Sequence, residues 1–308
     1  MEKLEIKVPK FESIGISTKT IIAVTNFNIN IEKLFDALPI TTYIVIPKKR
    51  GRKKKDPQPD PNLDIPTGSI VTLKYEDKVR GVELKKKKKA TTKGKRKYFR
   101  NSLTVVMIMG DGKMINFKIS NNGKFQITGC KNDTHAEDCV KYIYKYVKEI
   151  NNPEICSVRD KEPKAVFMTV MTNIDFNLGF QVNRENLDRY INCYTPYNSL
   201  LETSFGYTGV NIKMPMNRAQ NYDLKLISYK DDIWTTSYIP YGTYLEGLTQ
   251  KEKDKETKKS KNHTFLVFHS GNCIFSSDNI VRMKHPYEQF IDIIRECKDE
   301  IEEKIIEE

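Results

Sequence analysis

One strand–turn–strand segment occurs twice in this chain, and that recurrence restricts the available folds more than any other feature. The first copy runs from Phe117 to Gly129 and turns at Asn121-Asn122-Gly123; the second runs from Phe265 to Ser277 and turns at Ser270-Gly271-Asn272. Each is an apolar run, a small polar turn with glycine, and a second apolar run, the pattern of a β-hairpin. Phe117 and Phe265 lie 148 positions apart, as do Gly123 and Gly271. Thr25-Asn26-Phe27 and Thr172-Asn173-Ile174 repeat at an offset of 147, each ahead of a short helical pattern. Two segments in the same order at nearly one offset predict a duplicated domain. The alternative is a chance likeness between two short hairpins.

The intervening sequence fits the same order in both halves. Lys19–Phe27 reads as a strand, Asn30 as a helix N-cap, and Ile31, Leu34, Phe35 and Leu38 as one helical face ending at Pro39. Thr41–Ile46, Ser69–Tyr75 and Leu103–Met109 read as strands. Thr134-x-x-Glu137 fits a capping box, followed by an apolar stripe to Ile150. In the second half Ala165–Thr172 and Val210–Met214 are strands, and Asn183 caps a helix carrying Leu187, Tyr190 and Ile191. Pro286 opens a long helix with Phe290, Ile294, Cys297, Ile301 and Ile305 on one stripe. The expected fold class is therefore α+β, an antiparallel sheet with helices on one side. Residues 1–18 form a leader, 19–150 a first repeat with a basic insertion at about 47–101, and 164–308 a second repeat with an insertion at about 216–262.

The 308 residues carry a formal charge of +12. Between Lys48 and Arg100, 20 lysines and arginines stand against 6 acidic residues, so one segment supplies the basic excess. Such a segment attracts polyanions, nucleic acid first; a solvated loop or an import signal has the same composition. No run of about 18 apolar residues predicts a membrane span. Six cysteines without a C-x-x-C pair, and no signal peptide, predict an intracellular protein with free thiols.

Local strings resemble the TATA-box-binding protein family. Lys118-Ile119-Ser120-Asn121-Asn122-Gly123-Lys124-Phe125-Gln126-Ile127-Thr128-Gly129-Cys130-Lys131 is similar to the family's I-F-S-S-G-K-x-x-x-T-G-A-K hairpin. Leu266-Val267-Phe268-His269-Ser270-Gly271 is similar to its L-I-F-V-S-G, and Tyr207–Met214 to its F-P-G-L-I-Y-R-M. Arg80-Gly81, the lysine run at 85–89 and Phe99–Leu103 are closer still to TATA-binding-like proteins of giant cytoplasmic DNA viruses. The resemblance covers most of 19–150 and 164–300, and implies two pseudo-symmetric repeats sharing a curved, saddle-shaped antiparallel sheet, helices on the convex side and duplex DNA beneath. That family is itself the well-known example of minor-groove bending, in which aromatic wedges enter base steps.

The resemblance carries these roles over residue by residue. The wedge positions of the second repeat become Tyr207 and Phe268, and the neighbouring sheet-face positions Leu266, Ile274 and Ser276. In the first repeat the wedges fall on Ser102 and Ser120, with Phe99 nearby, and the sheet face on Lys118, Gln126 and Thr128. Thr20, Ile22 and Thr169 lie on the first strands; the family's strand asparagines read Thr20 and Phe167 here. The hairpin lysine is Lys124, opposite Asn272. One half is apolar and the other polar and cationic. Arg50-Gly51-Arg52 resembles an AT-hook, with a lysine where its proline would follow.

The sequence carries no P-loop, G-x-S-x-G or H-E-x-x-H, and its four histidines lack metal spacing. His135 and His269 read as surface residues, and Asp231-Asp232 as a solvated acidic pair. No enzyme activity, cofactor or metal is expected. The leading expectation is a monomeric transcription-initiation factor that bends double-stranded DNA and works with initiation factors and RNA polymerase. If viral, it would act in the host cytoplasm or virion. A sequence-neutral nucleic-acid binder and a protein-interaction scaffold without DNA bending stay open.

Overall fold

The computed structural model describes residues 8–46, 60–83, 100–201, 208–216, 222–258 and 261–303. Its elements, in chain order, are β1 (Ile16–Thr25), β2 (Phe27–Ile29), α1 (Ile31–Ala37), β3 (Ile70–Tyr75), β4 (Lys78–Gly81), β5 (Leu103–Ile108), β6 (Met114–Ile119), β7 (Lys124–Cys130), α2 (Thr134–Ile150) and β8 (Cys156–Val158). There follow β9 (Lys164–Asn177), α3 (Arg184–Tyr194), β10 (Asn198–Leu201), β11 (Gly209–Pro215), β12 (Asp223–Lys230), β13 (Ile233–Pro240), α4 (Tyr241–Glu246), α5 (Gln250–Lys258), β14 (Asn262–Phe268), β15 (Asn272–Ser277) and α6 (Lys284–Ile301). The architecture is α+β on mostly antiparallel strands.

The chain divides into two compact units. The first holds Ile21–Met168 and Lys225–Tyr238; the second holds Met1–Thr20, Thr169–Leu224 and Ile239–Glu308. In the first unit the strands run β1-β7-β6-β5-β3-β4, and β12 pairs with the opening residues of β9. Period-two alternation sends Val105, Met107, Ile115, Phe117, Ile119, Phe125 and Ile127 to one face. There they meet Leu34 and Phe35 of α1 and Ala136, Cys139, Val140 and Ile143 of α2. In the second unit the order is β10-β11-β14-β15-β9. Its inward residues, among them Phe265, Val267 and Phe275, pack on α3 and on the α6 stripe of Phe290, Ile294, Cys297 and Ile301. Phe265 stacks between Phe275 and Phe290, with ring centroids 4.0 and 4.2 Å away. Each such buried side chain contributes about 1.5–3 kcal/mol.

One set of backbone bonds occurs in each unit. In the first, the Thr25 N–H donates to the Gly123 carbonyl, Ile29 to Asn121, and Asn30 to Ile155. In the second, Leu178 donates to Gly271, Val182 to His269, and Asn183 to Ile301. Asn30 and Asn183 are both N-caps, accepting from the N–H groups of Lys33 and Asn186. The two caps are 153 positions apart, not 147. The Thr25 and Thr172 strings therefore do not hold equivalent places: Leu178, not Thr172, binds its hairpin as Thr25 does.

Several local expectations need correction. Residues 41–46 are not a strand; Asn62 binds both the N–H and the carbonyl of Ile44, occupying backbone groups a ladder would need. The Thr134–Glu137 box does not form. Asp133 is the N-cap without a side-chain bond, Thr134 Oγ1 donates to Asn132, and the Glu137 carboxylate is taken by Lys225 and Lys141. The 216–262 insertion contains β12, β13, α4 and α5, and Lys225–Tyr238 belongs to the first unit. Asp231 and Asp232 have φ of 48° and 63°, the left-handed pair of a tight hairpin turn, and Asp232 accepts from Lys148 and Tyr229. His135 is buried: its Nδ1 accepts from the Lys131 N–H, and its Nε2 lies 3.1 Å from Asp111. Ile305 lies outside the described residues.

Candidate nucleic-acid interface

Strand alternation leaves one face of each sheet turned away from its helices. In the second unit, Asn211, Leu266, Ile274 and Asp175 form one cross-strand row over β11, β14, β15 and β9. Lys213, Thr264, Ser276 and Asn173 form the row beside it. Phe268 stands one step along β14 from Leu266, opposite Gly209. A Cβ at Gly209 would lie 2.6 Å from Leu266 Cδ1, so the missing side chain gives Leu266 its seat. A cleft of about 800 Å³ opens at the turn end of this hairpin, lined by Asp175, Thr208, Phe268, His269, Asn272 and Ile274.

The patch sets Phe268, Leu266 and Ile274 among polar and charged residues, and it holds two unusual polar atoms. The side-chain oxygens of Asn173 and Asn211 are buried and have no hydrogen-bond partner. A buried acceptor without a partner costs about 1–3 kcal/mol, so each such atom calls for a reason. Neither asparagine is among the residues expected from the sequence. Counting from the two caps, 153 positions apart, rather than from the Thr-Asn strings sets Asn173 against Thr20. For Asn211 the sequence offers no comparable signal.

In the first unit the matching face is polar. Thr104, Lys118 and Gln126 form one cross-strand row, and Val106, Asn116 and Thr128 the next. Among the outward residues of β5, β6 and β7 there are two lysines, Lys118 and Lys124, and no carboxylate. Ser120 is engaged inside its own turn, 2.8 Å from Asn122 Oδ1 and 3.0 Å from the Lys124 carbonyl. Thr128 Oγ1 donates to the Asn116 carbonyl at 2.9 Å. Gln126 and Lys124 are exposed. Toward β3 and β5 the same face is covered: Tyr43, Ile65 and Met114 pack on Val71, Val106 and Ile108.

The structure thus brings Phe268, Leu266, Ile274 and Ser276 together on one face, and Lys118, Gln126 and Thr128 on another. Ile22 and Thr169 are half-buried. Thr20 is only 8 % exposed and offers a ligand little surface. Phe167 is a core residue of the first unit. Tyr207, Arg50, Arg52 and Phe99 lie outside the described residues.

No family model matches the chain. Uncharacterized protein 335L of Invertebrate iridescent virus 6 is 28 % identical over 225 residues, which cover 69 % of this chain and 65 % of that protein. The chain therefore spans just under two thirds of the length of that relative. Among solved structures, Methanococcus jannaschii TBP aligns over 94 % of this chain and 99 % of its own, with 14 % identity and a TM-score of 0.41.

Among the described residues, no three of His, Cys, Asp and Glu gather as metal ligands, and no helix is long and apolar enough to cross a membrane. One buried polar cluster lies in the second unit. Ser277 Oγ is 3.0 Å from His263 Nδ1, and Asp278 is held by Arg282 and Lys261 at 3.3 and 3.7 Å. Burial lowers the His263 pKa below its usual value, against the pull of Asp278. His263 packs with its ring tilted against Phe275, so the cluster fixes the ends of β14 and β15.

Proposed function

We propose that this chain binds duplex DNA through the open sheet faces of its two units. The observation that carries the reading is the contrast between those faces. One presents Phe268, Leu266 and Ile274 among Asn173, Asn211, Lys213 and Asp175; the other presents Lys118 and Lys124 without a carboxylate on β5–β7. Apolar side chains replace base stacking when they enter a minor groove, and the Nδ2 groups of asparagines are the donors that its acceptor edge takes. A carboxylate-free lysine strip suits the phosphate backbone. Asp175, beside Ile274, is the unfavourable charge in its row.

In this reading the units descend from one duplicated module, as the shared bonding pattern around the N-caps and hairpins supports. The chain bends the duplex and serves transcription initiation, in keeping with the resemblance noted from its sequence. It acts as a binder without catalysis or cofactor, and the iridescent-virus relative supports a viral origin. Fluorescence anisotropy with a random 30-bp duplex tests binding, and end-labelled energy transfer tests bending. Phe268→Ala should weaken binding by about 5- to 150-fold, the range for removing one base–aromatic contact, and should reduce the bend. Absence of duplex binding by the wild type at about 50 mM salt would overturn the reading.

A further inference from the structure

The first unit lacks a stacking side chain on its hairpin, since Ser120 is tied into its turn. It carries instead a flap of a different kind. Residues 40–46 and 60–66 cross the outer part of its open sheet face. Tyr43 and Ile65 point inward and pack on Val71, Val106 and Ile108. The Thr41 N–H donates to the Ile70 carbonyl at 2.8 Å. Asn62 pins the two segments of the flap together. Its Oδ1 accepts from the Ile44 N–H at 2.8 Å, and its Nδ2 donates to the Ile44 carbonyl at 2.9 Å. The Asn62 N–H is in turn held by Asp60 at 2.9 Å.

This anchoring leaves the opposite side chains outside. Ile44, Val45, Ile46 and Leu63 are 55 %, 47 %, 53 % and 80 % exposed. A single exposed aliphatic residue is ordinary; four on one pinned flap mark an interaction surface. The neighbouring strip of the same face, with Lys118 and Lys124, carries positive charge and no carboxylate on β5–β7. In the sequence, Ile46 is followed within two residues by Lys48-Lys49-Arg50. Lysines beside exposed aliphatics fit a polyanion with an apolar interior, which a stacked duplex is.

We propose that the flap is the wedge of the first unit, and that Ile44, Val45, Ile46 and Leu63 enter a DNA groove and part a base step. The inference rests on the duplex-binding reading above and adds to it the element that unstacks bases on the polar side. Asp60 and Asp64, both exposed on the same flap, oppose the approach of phosphate.

Duplexes carrying 2-aminopurine report unstacking as a rise in fluorescence. Wild-type protein should raise the signal at two positions along one duplex. Ile44→Ser/Ile46→Ser should remove the rise at one of them and weaken binding about tenfold. Phe268→Ala should remove the other. Leu63→Ser is the second variant, at the most exposed of the four side chains, and should reduce the same signal as the double variant with an unchanged melting temperature. Asp64→Asn should tighten binding. If wild type binds and unstacks but both flap variants behave as wild type, the wedge is overturned while the duplex reading stands. If wild type binds no duplex, both fall.

Discussion

At the scale of single residues, two hairpin glycines hold places no other residue fits. Gly123 and Gly271 have φ of 73° and 77°, a region that costs L-residues about 1–2 kcal/mol. A Cβ at Gly123 would meet the Phe27 carbonyl at 2.5 Å, and one at Gly271 would run into the Phe180 carbonyl. Gly112 has the same φ of 73° with nothing within 4 Å, so it separates strain from contact. Gly112→Ala should cost about 1 kcal/mol in urea unfolding, and Gly271→Ala at least about 2 kcal/mol. Equal losses would show that the carbonyl contact is unimportant. His263 gives a pH dependence at the same scale. Its folded pKa is lowered by burial, so below about pH 6.5 the unfolded chain takes up a proton that the folded chain refuses. Its stabilising contribution is present above that pH and falls as the pH drops toward the folded pKa. Urea midpoints measured between pH 7.5 and 5.5 should decline, and His263→Asn should flatten that decline while lowering the plateau.

At the scale of elements, the hairpin β12–β13 is held to α2 by contacts the sequence does not announce. The Glu137 carboxylate, nearly buried, pairs with Lys225 of β12 and with Lys141 one helical turn on. Lys148 donates to Tyr229 and Asp232 at the hairpin turn, and Trp234 meets Tyr144 edge-on at 5.5 Å. Glu137→Gln removes the buried charge but keeps the shape. Because both lysines retain some exposure, the loss should be about 1–3 kcal/mol, at or below the range for a fully buried pair. The chain has one tryptophan, so its emission reports this hairpin directly and should shift to the red in the variant. An unchanged spectrum would mean that aromatic packing alone holds β12–β13.

The same scale shows which features the sequence carries. Period-two runs around Phe117, Phe125, Phe265 and Phe275 announce both hairpins because a strand writes its buried face into its own spacing. Asn30 and Asn183 announce two helix starts because capping is local. The apolar and polar contrast between Leu266 and Lys118 is equally legible. Asn173 and Asn211 are not, because their significance lies in what fails to reach them across neighbouring strands. The partnership of Glu137 with Lys225 spans 88 positions, and the burial of His135 depends on Asp111 from another turn. The flap reads as a strand because Thr41–Ile46 has strand composition, while a side chain at Asn62 takes its hydrogen bonds.

At the scale of the whole molecule, the charge distribution separates two sources of affinity. The basic excess lies between Lys48 and Arg100, while the remaining residues are close to neutral. Counterion release makes log K fall with log salt by about 0.9 for each phosphate neutralised. Replacing Lys48, Lys49, Arg50 and Arg52 together by serine should therefore lower the slope by up to about 3–4. If the sheet faces grip the groove, the bend and the 2-aminopurine signal should survive at low salt, because aliphatic and aromatic contacts release no counterions. A chain that binds nucleic acid through the basic segment alone would lose binding, bend and slope together. Measuring slope and bend on the same variant thus assigns affinity to the segment and deformation to the faces, or denies the faces any part in it.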